Sequence, residues 1–312
     1  MSATGISAPQ KARILAEALP YIRAYHATTL VIRFGGAAMA DPVLTAGFAR
    51  DVALLRLVGM KPIVVHGGGW RIDALLEQMG IEIRRHHGMR VTDERTLQVV
   101  EMVLDERNQE LVGHINRFGG RAVGLNGQDG RFIHARAMTP PPDAAGAAPT
   151  DYGFVGDVEA IDTDVIDLLL SRSFIPVIMP IGVGADGTAY HINSDIVAGE
   201  LARALRAEKL ILMTNVAGVH DAAGKLRYVL TATEAEELLR DGTVSGGMVP
   251  RLTAALEAVR SGVRSVHIID GGAESALLLE VLTADGVGTA VRSDAGPHFL
   301  ADSESYFAGS AA

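Results

Sequence analysis

Arg33, Gly35 and Gly36 stand at the end of an apolar run, and Asp41-Pro42 follows shortly after. Thr28 to Ile32 are apolar or β-branched without alternation, the pattern of a strand buried on both faces. Asp41 can cap free amides and Pro42 suits a first helical position, so the spacing predicts strand, glycine pair, helix. Such a turn lets backbone amides approach an anion, and Arg33 sits at its mouth. A second stretch repeats the arrangement: Pro62 to Val65 runs into His66-Gly67-Gly68-Gly69 and then into a helix. Gly88 to Asp93 (GMRVTD), Asn193-Ser194-Asp195, Thr214-Asn215-Val216-Ala217-Gly218-Val219 and Gly246-Gly247-Met248 also fall where strands hand over to helices or loops. Neither glycine loop matches a dinucleotide fingerprint or a Walker loop, and a lone glycine turn more often only relieves backbone crowding. Taken singly, Arg90 reads as a surface ion-pair partner and Asp195 as the start of a helix.

The elements that must position these residues alternate along the chain. Leu15, Ala18, Leu19, Ile22 and Tyr25 recur at helical spacing and predict an amphipathic helix over Pro9 to His26, outside the repeating unit. A helix over Pro42 to Val58 should bury Val43, Leu44, Phe48, Val52 and Leu55. The one after the second glycine loop should bury Ile72, Leu75, Leu76 and Met79. A long helix over Glu94 to Phe118 carries Val99, Met102, Val103, Leu111 and Ile115 inward, and a short strand follows at Ala122 to Leu125. Residues Ala137 to Tyr152 are rich in Pro, Ala and Gly without periodicity and read as a surface loop or a linker between hairpin strands. Further helices are expected over Asp162 to Leu170, Asp195 to Leu205, Ala232 to Leu239, Val249 to Ser261 and Glu274 to Leu282. Strands are expected over Phe174 to Met179, Lys209 to Met213 and Val266 to Ile269. Thr231 and Glu234 form a capping pair. This alternation implies an α/β fold with a mainly parallel sheet covered on both faces, and sites at the carboxyl ends of its strands.

Composition excludes several classes of function. The 312 residues are 48% hydrophobic and carry a formal net charge of −9, with no Lys/Arg run, so nucleic acid is not an expected partner. The absence of cysteine removes disulfides, thiolate nucleophiles and thiolate metal sites. The stretch MSATGISAPQKA has no apolar core of a signal peptide and no run is long enough to span a bilayer, so a cytoplasmic chain without membrane association is expected.

With these residues in view, the sequence resembles the amino acid kinase family, and within it the members that phosphorylate N-acetyl-L-glutamate in arginine biosynthesis. The likeness runs over residues 10 to 290. It is carried by HGGG at 66 to 69, GMRVTD at 88 to 93, VVEMVL at 99 to 104, GFVGDV at 153 to 158 and FIPVI at 174 to 178. AEKLILMTNVAGV at 207 to 219, HIIDG at 267 to 271 and LLLEVLTADGVGT at 277 to 289 extend it. The resemblance implies an open αβα sandwich with an oligomerisation helix over 1–27, an acyl amino acid lobe over 28–190, a nucleotide lobe over 191–292 and a tail over 293–312. It implies transfer of the γ-phosphoryl group of ATP, with Mg2+ carried by the nucleotide, to a side-chain carboxylate. Arg33, Arg251 and Asp195 would then be catalytic. Gly67, Gly68, Arg90, Asn193 and His191 would bind the acyl amino acid. Gly35, Gly36, Thr214, Asn215, Gly218, Gly246, Gly247 and Met248 would serve phosphate and nucleotide, with the glycine amides at 35, 36, 67 and 68 offered to the reacting groups. No residue is assigned to a protein-bound metal.

A second site follows from the same likeness: Lys209, His267, Glu280 and Gly286, with Tyr21 or Tyr25, match positions where the family binds arginine as a feedback effector. The family's arginine-sensitive members form ring-shaped hexamers, so a homo-oligomer, either a trimer of dimers or a dimer, is implied. The chain departs from the family at the chemistry itself. The family has lysine where this chain has Arg33 and Arg251, asparagine at His191 and Ala37, and a smaller residue at Trp70. Arginine preserves charge, but its flat fork is not interchangeable with a compact ammonium. Two alternatives therefore stand beside the main expectation: a kinase for a related carboxylate, and a catalytically impaired, arginine-binding regulatory homologue.

Overall fold

The computed structural model describes residues 7–86, 88–139, 151–284 and 286–294. In chain order, α1 (Ala8–Tyr25) leads into β1 (Thr29–Phe34), a 3-10 turn (Gly36–Ala40), α2 (Pro42–Leu57), β2 (Lys61–His66) and α3 (Gly69–Gln78). A hairpin of β3 (Arg85–His86) and β4 (Met89–Arg90) precedes the long α4 (Glu94–Arg117) and β5 (Ala122–Asn126). Next come β6 (Ile133–Ala137), β7 (Val155–Ile161), α5 (Asp164–Ser171), β8 (Ile175–Met179), β9 (Ile181–Val183) and β10 (Ala189–Ile192). The remaining elements are α6 (Ser194–Ala204), β11 (Lys209–Thr214), β12 (Val229–Thr231), α7 (Ala232–Arg240), α8 (Met248–Arg260), β13 (Ser265–Asp270), α9 (Ala276–Leu282) and β14 (Thr289–Arg292).

Strand β1 is the pivot, with Leu30, Val31, Ile32 and Phe34 fully buried. Successive side chains of a strand point to opposite faces, and here Val31 joins one core cluster while Leu30, Ile32 and Phe34 join the other. The eight-stranded sheet runs β12-β14-β13-β11-β1-β2-β8-β5. All its pairings are parallel except β13 with β14. After β1 the chain lays β2, β5 and β8 on one side, with β8 last and between the other two, then places β11 on the other side of β1. That reversal makes the crevice beyond the carboxyl ends of β1 and β11 a topological switch point, where open α/β sheets bind ligands. The expected boundary between residues 190 and 191 falls inside β10, and the main sheet draws strands from both sides of it.

Several expectations about burial and extent are corrected. Val43 on α2 and Met102 on α4 are 78% and 63% exposed, because each lies on the outer edge of its helix. Met79 is exposed at the end of α3, and Leu15 and Leu19 on α1 face outward although their spacing is that of a buried stripe. Helix α1 touches the rest of the chain chiefly near its end, where Tyr25 is buried. Helix α9 begins two residues later than its periodicity suggests, because Ser275 takes a left-handed conformation at φ 54°. The two-stranded β3–β4 hairpin, the strands β12 and β14, and a closed barrel of β10, β7, β6 and β9 were not expected from the pattern. These strands are short and of mixed polarity, and β9 carries Gly182, where a Cβ would lie 2.8 Å from both Ala135 and Ile192. Most of the loop expected over Ala137 to Tyr152, and of the tail over 293–312, lies outside the described residues.

Candidate active site

Arg33 ends up where the sheet topology directs a ligand. Its Nε donates to Ser194 Oγ at 3.2 Å and lies 2.8 Å from Asp195 Oδ1, and its Nη1 donates to the main-chain oxygen of Met213 at 3.1 Å. The side chain thereby bridges β1, β11 and the first turn of α6. That turn is fixed by Asn193, whose Oδ1 accepts the Asp195 amide at 2.9 Å. Asn193 is thus the N-cap of α6 as well as a cavity residue. Asp195 is not merely a helix opener: its carboxylate neutralises a guanidinium that is only 12% exposed.

The glycines have distinct jobs. A Cβ on Gly35 would sit 2.9 Å from Arg33 Nη1, so glycine there lets the guanidinium lie flat on the loop. Gly36, at φ +74°, turns the chain into the 3-10 helix ahead of α2, and the Asp41 carboxylate caps that helix through the amides of Val43 and Leu44. The Gly67 amide donates to Phe34 O at 3.1 Å. That bond extends the β1–β2 ladder, so the expectation that Gly67 offers its N–H to a ligand is corrected. The amides of Gly35, Gly36 and Gly68 have no such partner among the described residues. Gly218 serves packing: its absent Cβ would lie 2.5 Å from Thr289 Oγ1, which accepts the neighbouring Val219 amide.

Beneath the second glycine loop, His66 is fully buried. Its Nδ1 donates to Gly67 O at 3.0 Å and its Nε2 accepts from Asn108 Nδ2 at 3.1 Å. Burial lowers the His66 pKa to about 4, with the Gly67 hydrogen bond opposing and nearby Arg107 and Arg33 adding to the shift, so the ring is neutral and of one tautomer. Asn108 also donates to Val177 O at 2.9 Å and tethers the loop to β8. Its sequence signal was an amide at helical spacing among Leu104, Leu111 and Ile115, on the apolar face of α4.

A cavity of about 610 Å³ opens from this centre, lined by Arg33, Gly36, Gly67, Gly68, Arg90, His191 and Asn193 among others. Arg90 is buried, which overturns its reading as a surface ion-pair residue. Its Nη2 donates to Asp73 Oδ1 at 2.6 Å and to Gly69 O at 3.2 Å, while its Nε is buried without a hydrogen-bond partner. A two-pronged contact through Nη2 therefore requires one of these bonds to be released. Asp73, which the sequence did not single out, also pairs with Arg85 Nη2 at 2.7 Å. His191 lines the same cavity and is partly buried; burial first and the Arg90 cation second lower its pKa to about 4, so it is neutral. Trp70 lines the same cavity and is 41% exposed, too open for a packing role.

Arg251 lies on the first turns of α8, whose start is set by Gly246, Gly247 and Met248. Half-burial lowers its pKa from the ordinary value, the Asp195 carboxylate opposes that shift, and Arg33 adds to it. Arg251 thus feels the charges of Asp195 and Arg33. Thr214 ends β11 and holds the following turn, its Oγ1 donating to Val216 O at 3.0 Å and accepting the Val216 amide at 3.1 Å. Asn215 is exposed beside it.

The second expected cluster also converges. Tyr21, Lys209, His267, Glu280 and Gly286 all line one cavity of about 450 Å³, with Tyr25 beside them. Lys209 Nζ donates to His267 Nε2 at 3.0 Å and sits 4.8 Å from the Tyr25 ring centroid. His267 Nδ1 donates to Glu280 Oε1 at 2.5 Å, and Glu280 Oε2 accepts the Val287 amide at 2.7 Å. Burial lowers the Lys209 pKa to about 8, with Glu280 and Glu208 opposing. Burial acts to raise Glu280, but its bonds from His267 and Val287 leave it below the ordinary carboxylate value. Glu280 is therefore a buried carboxylate, not an exposed helix residue.

Glycine loops at a switch point, with the Arg33 guanidinium paired to the Asp195 carboxylate there, define an α/β protein built to handle anionic ligands. The chain belongs to the amino acid kinase family, which it matches over residues 28–270. It is 56% identical over 287 residues to an acetylglutamate kinase of Chromobacterium violaceum, covering 92% of this chain and 99% of the relative. An acetylglutamate kinase of Polynucleobacter asymbioticus is also 56% identical, over 92% of this chain and 96% of the relative. Among solved structures, N-acetylglutamate synthase from Neisseria gonorrhoeae, complexed with coenzyme A and N-acetyl-glutamate, superposes with a TM-score of 0.81 at 27% identity. The match covers 91% of this chain and 64% of that one. The same synthase complexed with coenzyme A and L-arginine gives 0.77 at 25% identity, over 91% and 66%. No described helix is long and apolar enough to cross a membrane.

Proposed function

We propose that the chain transfers the γ-phosphoryl group of ATP to the side-chain carboxylate of N-acetyl-L-glutamate, giving an acyl phosphate, the acetylglutamate kinase reaction of arginine biosynthesis. The observation that carries this reading is the Arg33 guanidinium at the switch point, paired with Asp195 and laid against the Gly35 loop, in a chain 56% identical to acetylglutamate kinases. A carboxylate oxygen attacks the γ-phosphorus as the bond to the ADP oxygen breaks, and no proton has to move. Such transfer asks mainly for alignment and for positive charge around the equatorial oxygens. Arg33 and Arg251 supply that charge in place of the family's lysines, and Asp195 sets their spacing. Gly35, Gly36 and Gly68 direct amides at the phosphates. Arg90, Asn193 and His191 hold the acyl amino acid, and Trp70 walls its outer end. Thr214, Asn215 and the Gly246–Met248 turn receive the nucleotide, whose own Mg2+ would neutralise part of the phosphate charge. Trapping acyl phosphate as hydroxamate tests the reading: colour should depend on both MgATP and N-acetyl-L-glutamate. Turnover only with another member of a panel of acylated acidic amino acids would instead assign a different acceptor.

We infer that the cavity of Lys209, His267 and Glu280 binds L-arginine, the ligand named for the Neisseria synthase complex. A buried carboxylate held by His267 suits a guanidinium partner. Calorimetry should find arginine binding that weakens at least tenfold in Glu280→Gln; equal affinity in the variant would place the ligand elsewhere. Leu15 and Leu19, outward on α1, support a homo-oligomer assembled through that helix.

A further inference from the structure

Arg33 poses a geometric problem, since a fork must do at a phosphoryl group what the resemblance assigns to a single-pointed ammonium. Three contacts answer it. Nε donates to Ser194 Oγ at 3.2 Å, Nη1 donates to Met213 O at 3.1 Å, and Asp195 Oδ1 lies 2.8 Å from Nε. The plane of the group rests on Gly35, where a Cβ would be 2.9 Å from Nη1, 3.1 Å from Cζ and 3.4 Å from Nη2. Nη2 is the nitrogen left toward the second loop, 3.8 Å from where a Gly67 Cβ would stand, with Ser194 Oγ 3.5 Å from that same point. Both Arg33 and Ser194 line the larger cavity.

We propose that Ser194 is the positioning residue that turns the Arg33 guanidinium into a one-pronged donor, holding Nε so that Nη2 alone faces the reacting phosphoryl group. Asp195 neutralises the cation and Met213 O holds Nη1; the hydroxyl one residue earlier accepts from Nε and adds the remaining point that fixes the roll of the guanidinium plane. The Asn193 cap places both side chains on the turn that faces Arg33. An ångström of misplacement at a reacting centre costs on the order of a hundredfold in rate, so a hydroxyl acting through Arg33 still sets turnover.

The proposal rests on the carboxylate-kinase reading, and two readouts separate them. In steady-state kinetics Ser194→Ala should lower kcat about tenfold with the KM of both substrates within about twofold, and Ser194→Thr should restore it. In an Arg33→Lys background, where there is no fork to orient, the Ser194→Ala penalty should vanish. A penalty that persists there, or that appears in KM alone, overturns the proposal. Independently of turnover, hydrogen exchange of the Arg33 Nε–H, followed by 15N-arginine NMR on the full chain, should quicken about tenfold in Ser194→Ala. Unchanged exchange overturns the proposal even if the enzyme is active. Quickened exchange in a chain with no kinase activity upholds the orientation while removing the carboxylate-kinase reading.

Discussion

His66 and His191 carry little charge at neutral pH, and this has a measurable cost in acid. Burial lowers both to about 4 from an unfolded value of 6.5, so between those values the unfolded chain binds more protons and stability falls as pH falls. By linkage each ring contributes a loss of about 2 kcal/mol between pH 7 and pH 5. His191→Asn removes one titrating group, and its urea-unfolding free energy should drop by about 2 kcal/mol less than that of the unmutated protein over this interval. Equal losses would mean that His191 is protonated in the folded state. At this scale the sequence revealed the loop glycines and Arg33, whose types follow directly from anion chemistry. It marked Ser194 only as part of the Asn193-Ser194-Asp195 turn and did not mark Asp73: a serine at a helix start and an acid on a helix are ordinary locally, and only the fold brings them against arginines distant in the chain.

Among the elements, those with long periodic patterns were legible to within a few residues. Helix α4 spans Glu94–Arg117 against an expected Glu94 to Phe118, and the Thr231 capping box opens α7 as its sequence predicts. The barrel strands were hidden because their contacts are non-local. Gly156 and Gly182 are required by close approaches of Tyr190 and Ala135, neighbours that no local window contains. The same reasoning explains α1. Its apolar spacing is real, but the chain's own core reaches only its last turns, so periodicity announced a buried face without saying what covers it.

For the whole molecule, that uncovered face bears on assembly. The exposed side of α1 carries Ile14, Leu15 and Leu19, and the proposed occupant is the same helix of another copy. Leu15→Glu with Leu19→Glu should reduce the sedimenting species by at least one step, leaving a dimer if the assembly is a trimer of dimers. An unchanged sedimentation coefficient would remove α1 from the interface. The larger logic is topological: one reversal of strand order puts the ends of β1 and β11 side by side, and the Arg33 bond to Met213 O closes that seam.

Whether Arg33 and Arg251 both reach the phosphoryl group in transit would be seen in a crystal structure with a non-hydrolysable ATP analogue, magnesium and N-acetyl-L-glutamate. Arg33 Nη2 and the Arg251 guanidinium should each lie within about 3 Å of γ-phosphate oxygens, with Ser194 still bonded to Arg33 Nε. A γ-phosphate bound elsewhere, with Arg33 and Arg251 turned away from it, would rule out a phosphoryl group held between the two guanidiniums.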